Sequence, residues 1–102
     1  MSMRPLFGKI GVVVNQALTA TTASAQTAPI HAIGFILSAD STNTNPIRWC
    51  AGSTASTAVG VVLTAGTNTG YIPMAANLSV CAAVSGTNAY SVQWVLSKPQ
   101  LP

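Results

Sequence analysis

Apolar and polar positions alternate with a period of two in short runs along this chain, and turn-forming residues interrupt the runs at roughly ten-residue intervals. The clearest run is the last. Over residues 89–96, Ala89, Ser91, Gln93 and Val95 alternate with Tyr90, Val92, Trp94 and Leu96, which predicts a strand that buries a face of large side chains. Residues 30–37 read as a second strand, with Ile30, Ala32, Gly34 and Ile36 on one face and His31, Ile33, Phe35 and Leu37 on the other. Both faces are apolar, so this strand is expected to be central in its sheet or covered by a partner. Further strands are expected over 9–16, 47–51, 59–64 and 78–84. Tyr71-Ile72-Pro73 reads as a short edge strand, because proline has no N–H to donate to a central ladder.

Between these runs lie Ser41-Thr42-Asn43-Thr44-Asn45-Pro46 and the polar or glycine-rich stretches 52–57 and 65–70, all strong loop signals. Residues 85–88 have the spacing of a tight hairpin joining the last two strands. Residues 19–28, rich in Thr and Ala, read as a loop or an extended arm, and Lys98-Pro99-Gln100-Leu101-Pro102 as an extended tail. Helical periodicity is almost absent. The expected fold is all-β: a small antiparallel β-sandwich or jelly-roll-like barrel of about seven short strands with extended terminal segments. Residues 1–102 make one domain, with 1–28 as an arm plus the first strand, 29–97 as a compact β body and 98–102 as the tail. No internal repeat stands out.

Composition changes what kind of β domain this is. Only Arg4, Lys9, Asp40, Arg48 and Lys98 are charged, 5% of the chain, where an ordinary soluble domain has about a quarter. Such an exterior points to a subunit largely covered by neighbours in an assembly. The net charge of +3 comes from a shortage of acids, and the scattered cations form no basic stripe, so no specific nucleic acid is expected. With six aromatic residues in about 100, the core is thin and leans on packed aliphatics.

Arg4 and Lys9 precede the apolar run Ile10-Gly11-Val12-Val13-Val14, and Ala23-Ser24-Ala25 resembles a signal-peptidase site. Asn15 and Gln16 interrupt that run, so the segment is expected to be retained. No stretch approaches the roughly 18 residues needed to cross a bilayer, and no membrane association is expected. Cys50 and Cys81 are too few for a zinc site. They form a disulfide or are two small buried hydrophobes, and the second reading suits a chain without an export signal. Asp40 and His31 are the only acid and the only histidine. With no nucleophile elbow, phosphate loop or carboxylate pair, no enzyme, metal site or cofactor is expected. His31 is expected to be a partly buried, hydrogen-bonded strand residue.

The residues left to carry function are contact residues. Arg48 and Trp49 are adjacent in a strand, so with Trp49 in the core Arg48 faces out, as an interface anchor or as a solubilising charge. Trp94 belongs to the core. Tyr71 is a contact residue or a packed one. Expected contact elements are the N-terminal arm with Arg4 and Phe7, the loop 41–45 with Asn43, Arg48, the segment with Tyr71, Pro73 and Met74, and the tail with Leu101.

Pro46-Ile47-Arg48-Trp49, the run Ala55-Ser56-Thr57-Ala58-Val59-Gly60-Val61-Val62-Leu63-Thr64-Ala65-Gly66, Pro73, Leu78 and the close over 83–92 resemble small structural proteins of tailed bacteriophages. In those chains a strand carrying a basic residue leads to a TG-x-x-L-x-AG type turn, and an SGT-A-x-V-x-V hairpin ends the domain. The similarity covers residues 46–96. Val59-Gly60 stands here for a plain Thr-Gly, and residues 19–28 and the proline-rich tail have no counterpart. The resemblance implies a virion component made in the host cytoplasm: a capsid decoration, or cement, protein that binds the outside of the head and stabilises it. Its partners would be the major capsid protein and copies of itself, as a dimer or trimer. A tail or fibre component would share these features. A secreted pilus- or adhesin-like subunit would instead require cleavage after Ala25 and a Cys50–Cys81 disulfide.

Overall fold

The computed structural model describes residues 9–97. Seven strands follow one another: β1 (Lys9–Ala17), β2 (Ser24–Gln26), β3 (Ala32–Ala39), β4 (Ile47–Ala51), β5 (Val61–Leu63), β6 (Leu78–Ala82) and β7 (Ala89–Leu96). They build two antiparallel sheets, one ordered β1-β7-β3 and the other β2-β6-β4-β5. The chain is therefore all-β, a small sandwich whose buried faces meet between the sheets. The arm over 1–8 and the tail over 98–102, with Arg4, Phe7 and Leu101, lie outside the described residues.

Alternation explains the core. Phe35, Leu37 and Ala39 of β3 and Tyr90, Val92 and Trp94 of β7 point inward from the three-stranded sheet. Ile47 of β4, Leu63 of β5 and Leu78, Val80 and Ala82 of β6 oppose them from the other sheet. Phe35 joins the layers by edge-on contacts with Trp49 and Trp94, at centroid distances of 5.8 and 5.9 Å. Among the described residues the buried Trp49 indole N–H has no hydrogen-bond partner; an unpaired buried donor generally costs about 1–3 kcal/mol.

Four expectations need correction. Tyr71-Ile72-Pro73 is not a strand: Ile72 makes a single bridge to Phe35. The seventh strand is instead β2, inside the polar stretch 19–28, tied across the sandwich by the Ser24 hydroxyl (2.8 Å) and the Gln26 amide (3.0 Å) at the Tyr90 hydroxyl. Residues 85–88 do not close a hairpin, because β6 and β7 lie in opposite sheets; the connection instead seats the buried Asn88 side chain against Asn45 and the Val84 carbonyl. His31 is neither partly buried nor in a strand: it is exposed at φ 70°, ahead of β3.

The two apolar faces of β3 also have a different cause from the one expected. β3 is an edge strand, not a central one, and its cover comes from the same chain. Residues 66–72 run along its open side. The Ala39 N–H donates to the Thr67 carbonyl (2.9 Å), the Thr69 N–H to the Leu37 carbonyl (2.9 Å), and Phe35 and Ile72 exchange both of their bonds. A bulge at Ile33 shifts the register and lets Ala32 pack on the core.

Candidate interaction surfaces

The outer face of the four-stranded sheet is built from the residues that alternate with the core positions: Arg48 and Cys50 on β4, Ser79 and Cys81 on β6. The loop 52–60 folds back over this face. The buried Ala55 N–H donates to Ser79 Oγ (3.0 Å), and Arg48 donates from Nε to the Thr57 carbonyl (3.1 Å) and from a terminal nitrogen to the Gly60 carbonyl (3.2 Å). Ser56 Oγ accepts from the Ala58 and Val59 amides, holding the loop tip. Gly60 sits against the Trp49 backbone at φ 130°, a conformation and an approach that need the absence of a Cβ. Beside this roof a groove of about 520 Å³ is lined by small neutral residues, among them Ala25, Ser53, Ala76 and Ser79.

Arg48 thus faces outward as alternation requires, but its guanidinium is engaged by the chain's own carbonyls. The thiols are both free. Cys50 pairs with Ser79 and Cys81 with Arg48, so the two cysteines are diagonal neighbours and not directly opposed. Cys81 is buried, its thiol contacts the Thr21 carbonyl (3.0 Å), and burial raises its pKa. No bond joins Cys50 to Cys81.

The outer face of the three-stranded sheet is different. Val13, Asn15 and Ala17 of β1 pair with Gln93, Ser91 and Ala89 of β7, which in turn neighbour Ile36 and Ser38 of β3. Gln93, Ser91 and Ile36 are half-buried, Val13 is 54% exposed, and none carries charge. Tyr71 leans over Gly34, where a Cβ would collide with its ring, and reaches the Ile33 carbonyl at 3.4 Å. Tyr71, Pro73 and Met74 are all exposed, so this expected contact segment lies on the surface in one run.

Asn43 is used internally. Its amide group donates to the Ala89 carbonyl (2.9 Å) and accepts from the Ala89 N–H (2.7 Å), imitating a strand partner at the start of β7. Asp40 is exposed at the end of β3. The Thr42 backbone N–H and hydroxyl both donate to it and lower its pKa. Among the described residues no three of His, Cys, Asp or Glu come together as metal ligands, and no helix is long and apolar enough to cross a membrane.

Several exposed apolar residues were not marked by the sequence pattern. Ile30 is 81% exposed, and Val59, Val61 and Val62 form an apolar rim along β5. The strand expected over 59–64 is shorter: β5 is a three-residue edge on which Val61 and Val62 are exposed and Leu63 alone is buried. Comparison with known proteins finds no matching family model, no matching curated protein and no matching solved structure.

Proposed function

We propose that this chain is a non-catalytic structural subunit of a tailed-phage virion, a decoration protein that binds the outside of the capsid lattice and stabilises the head. One observation carries the reading: large apolar side chains stand exposed on several flanks, at Val13, Ile30, Val61, Val62, Tyr71 and Met74, on a chain with five charges. A free monomer keeps exposed apolar patches small and disperses itself with charge; a lattice subunit has neighbours to cover them. Each copy would bury apolar and main-chain surface against capsid subunits. Stability would rise by mass action, because only the assembled shell is bound, and many weak contacts would add across the lattice. The resemblance over residues 46–96 supplies the virion context.

Electron cryomicroscopy of the particle from which the chain is recovered tests this reading. The expected result is density for the sandwich in a regular array on the outer shell, with the Tyr71–Met74 segment or the β5 rim against the major capsid protein. Density confined to a tail or fibre, or recovery of the chain without any particle, would overturn it.

A further inference from the structure

We propose that the open edge of β1 pairs with β1 of a second copy, antiparallel about a two-fold axis at Asn15, so that two three-stranded sheets become one. Such pairing needs no capsid, so it stands or falls apart from the virion reading.

The sandwich has four strand edges, and three are blunted. β3 is covered by residues 66–72, while β2 and β5 are only three residues long. Short edges and covered edges are the usual protections against strand addition. β1 runs for nine residues, and among the described residues only β7 pairs with it.

The phase of the ladder says which groups are open. The Leu18 N–H donates to the Asn88 carbonyl (2.9 Å), which makes Ala17 and Ala89 a non-hydrogen-bonded pair. By alternation, Val14 and Gln16 turn their backbone groups toward β7, whereas Val13, Asn15 and Ala17 turn theirs to the open edge, where the Ala17 carbonyl accepts only from the exposed Gln16 side-chain amide (3.1 Å).

A second copy suits this edge for three reasons. A two-fold at Asn15 sets Val13 of each copy opposite Ala17 of the other, so all three outward residues find partners. An Asn side chain carries both donor and acceptor and is complementary to itself. No residue from Val13 to Ala17 is charged, so identical edges meet without repulsion.

Sedimentation of the full chain is expected to give twice the 10.4 kDa mass of one copy. Asn15→Pro removes an outward N–H that the fold does not use, and proline is tolerated on an edge; the expected product is a monomer with an unchanged circular dichroism spectrum. Val14→Pro removes an inward N–H and should unfold the chain, which checks the phase. Hydrogen exchange on the unaltered chain gives a reading that needs no variant: the Val13, Asn15 and Ala17 amides should be protected at high concentration and lose that protection on dilution. A monomer at all concentrations, a trimer, a folded Asn15→Pro that stays dimeric, or unprotected amides at these three positions would each overturn the pairing.

Discussion

The two outer faces of the sandwich meet their surroundings on different terms. The four-stranded sheet turns a guanidinium, two thiols and a hydroxyl outward, and the chain then folds 52–60 and the Thr21 region over them. The three-stranded sheet turns out Val13, Asn15, Ser91, Gln93 and Ile36, and among the described residues no hydrogen-bonded roof covers them. Groups that are costly to leave without partners are satisfied within the chain. What remains for a neighbour is small, neutral and partly apolar, a surface on which desolvation costs little. The roofed face thus works as a second, minor core, and the bare face has no such cover among the described residues.

The largest effect should come from the hinge of the roof. Gly60→Ala places a Cβ 2.9 Å from the Trp49 carbonyl oxygen and 3.0 Å from its nitrogen, at a φ of 130°. The backbone there cannot yield as a flexible side chain would, so a loss of about 3 kcal/mol is expected, read as a fall of more than about 10 °C in the melting temperature. A loss below about 1 kcal/mol would mean that the roof is not held against β4.

Next in size is a paired test of the two faces. Ser79→Ala orphans the buried Ala55 N–H and should cost about 1–3 kcal/mol. Ser91→Ala, the same change on the bare face, should stay within about 0.5 kcal/mol. Urea midpoints of the two variants settle the contrast, and equal losses would abolish the distinction between the faces. Arg48→Met should follow at about 1 kcal/mol, since it removes two bonds to partly exposed carbonyls. Arg48→Lys should not restore them, because a single ammonium lacks the fork that spans Thr57 and Gly60. Faster proteolytic cleavage within 52–60 in both variants would locate the loss in the loop.

Much of this architecture was legible in the residue order where alternation runs without interruption. β4 and β7 have the expected bounds of 47–51 and 89–96, and the large residues of β7 are the buried ones. β3 begins two residues later than expected because His31 adopts a left-handed conformation, which hydrophobic alternation does not mark. β2 escaped notice because its anchors, Ser24 and Gln26, are polar and find their partner, Tyr90, more than 60 residues away. The hairpin expected at 85–88 failed for a related reason: a short connection fits either a turn within a sheet or a step between sheets, and Asn88 and Asn45 choose the second. At the surface, the outward turn of Arg48 could be read from its neighbour Trp49. Its partners could not, since they are carbonyls whose positions depend on the path of a nine-residue loop. The expectation of Asn43 at an interface rested on composition and position, and neither shows that its amide group also serves the start of β7.

The smallest effect expected is a pH dependence, and it comes from the roofed face. Burial raises the Cys81 thiol above its ordinary pKa. In the unfolded chain that thiol ionises near about pH 8.5, while the folded state still holds its proton. The folded state then binds more protons than the unfolded one, so stability is independent of this group at neutral pH and falls as pH rises beyond about 8.5. Asp40 acts at the other extreme. Thr42 lowers its carboxyl pKa, so its contribution is present above the unfolded value of about 3.9 and disappears as pH falls through the folded one. Urea midpoints measured from neutral to alkaline pH should decline, and Cys81→Ser, whose hydroxyl does not ionise there, should decline less. Alkylation at neutral pH should modify the half-buried Cys50 before Cys81. Equal reaction rates, together with an alkaline decline unchanged in Cys81→Ser, would mean that the loop around Thr21 opens to solvent and that this part of the face is no more covered than the bare one.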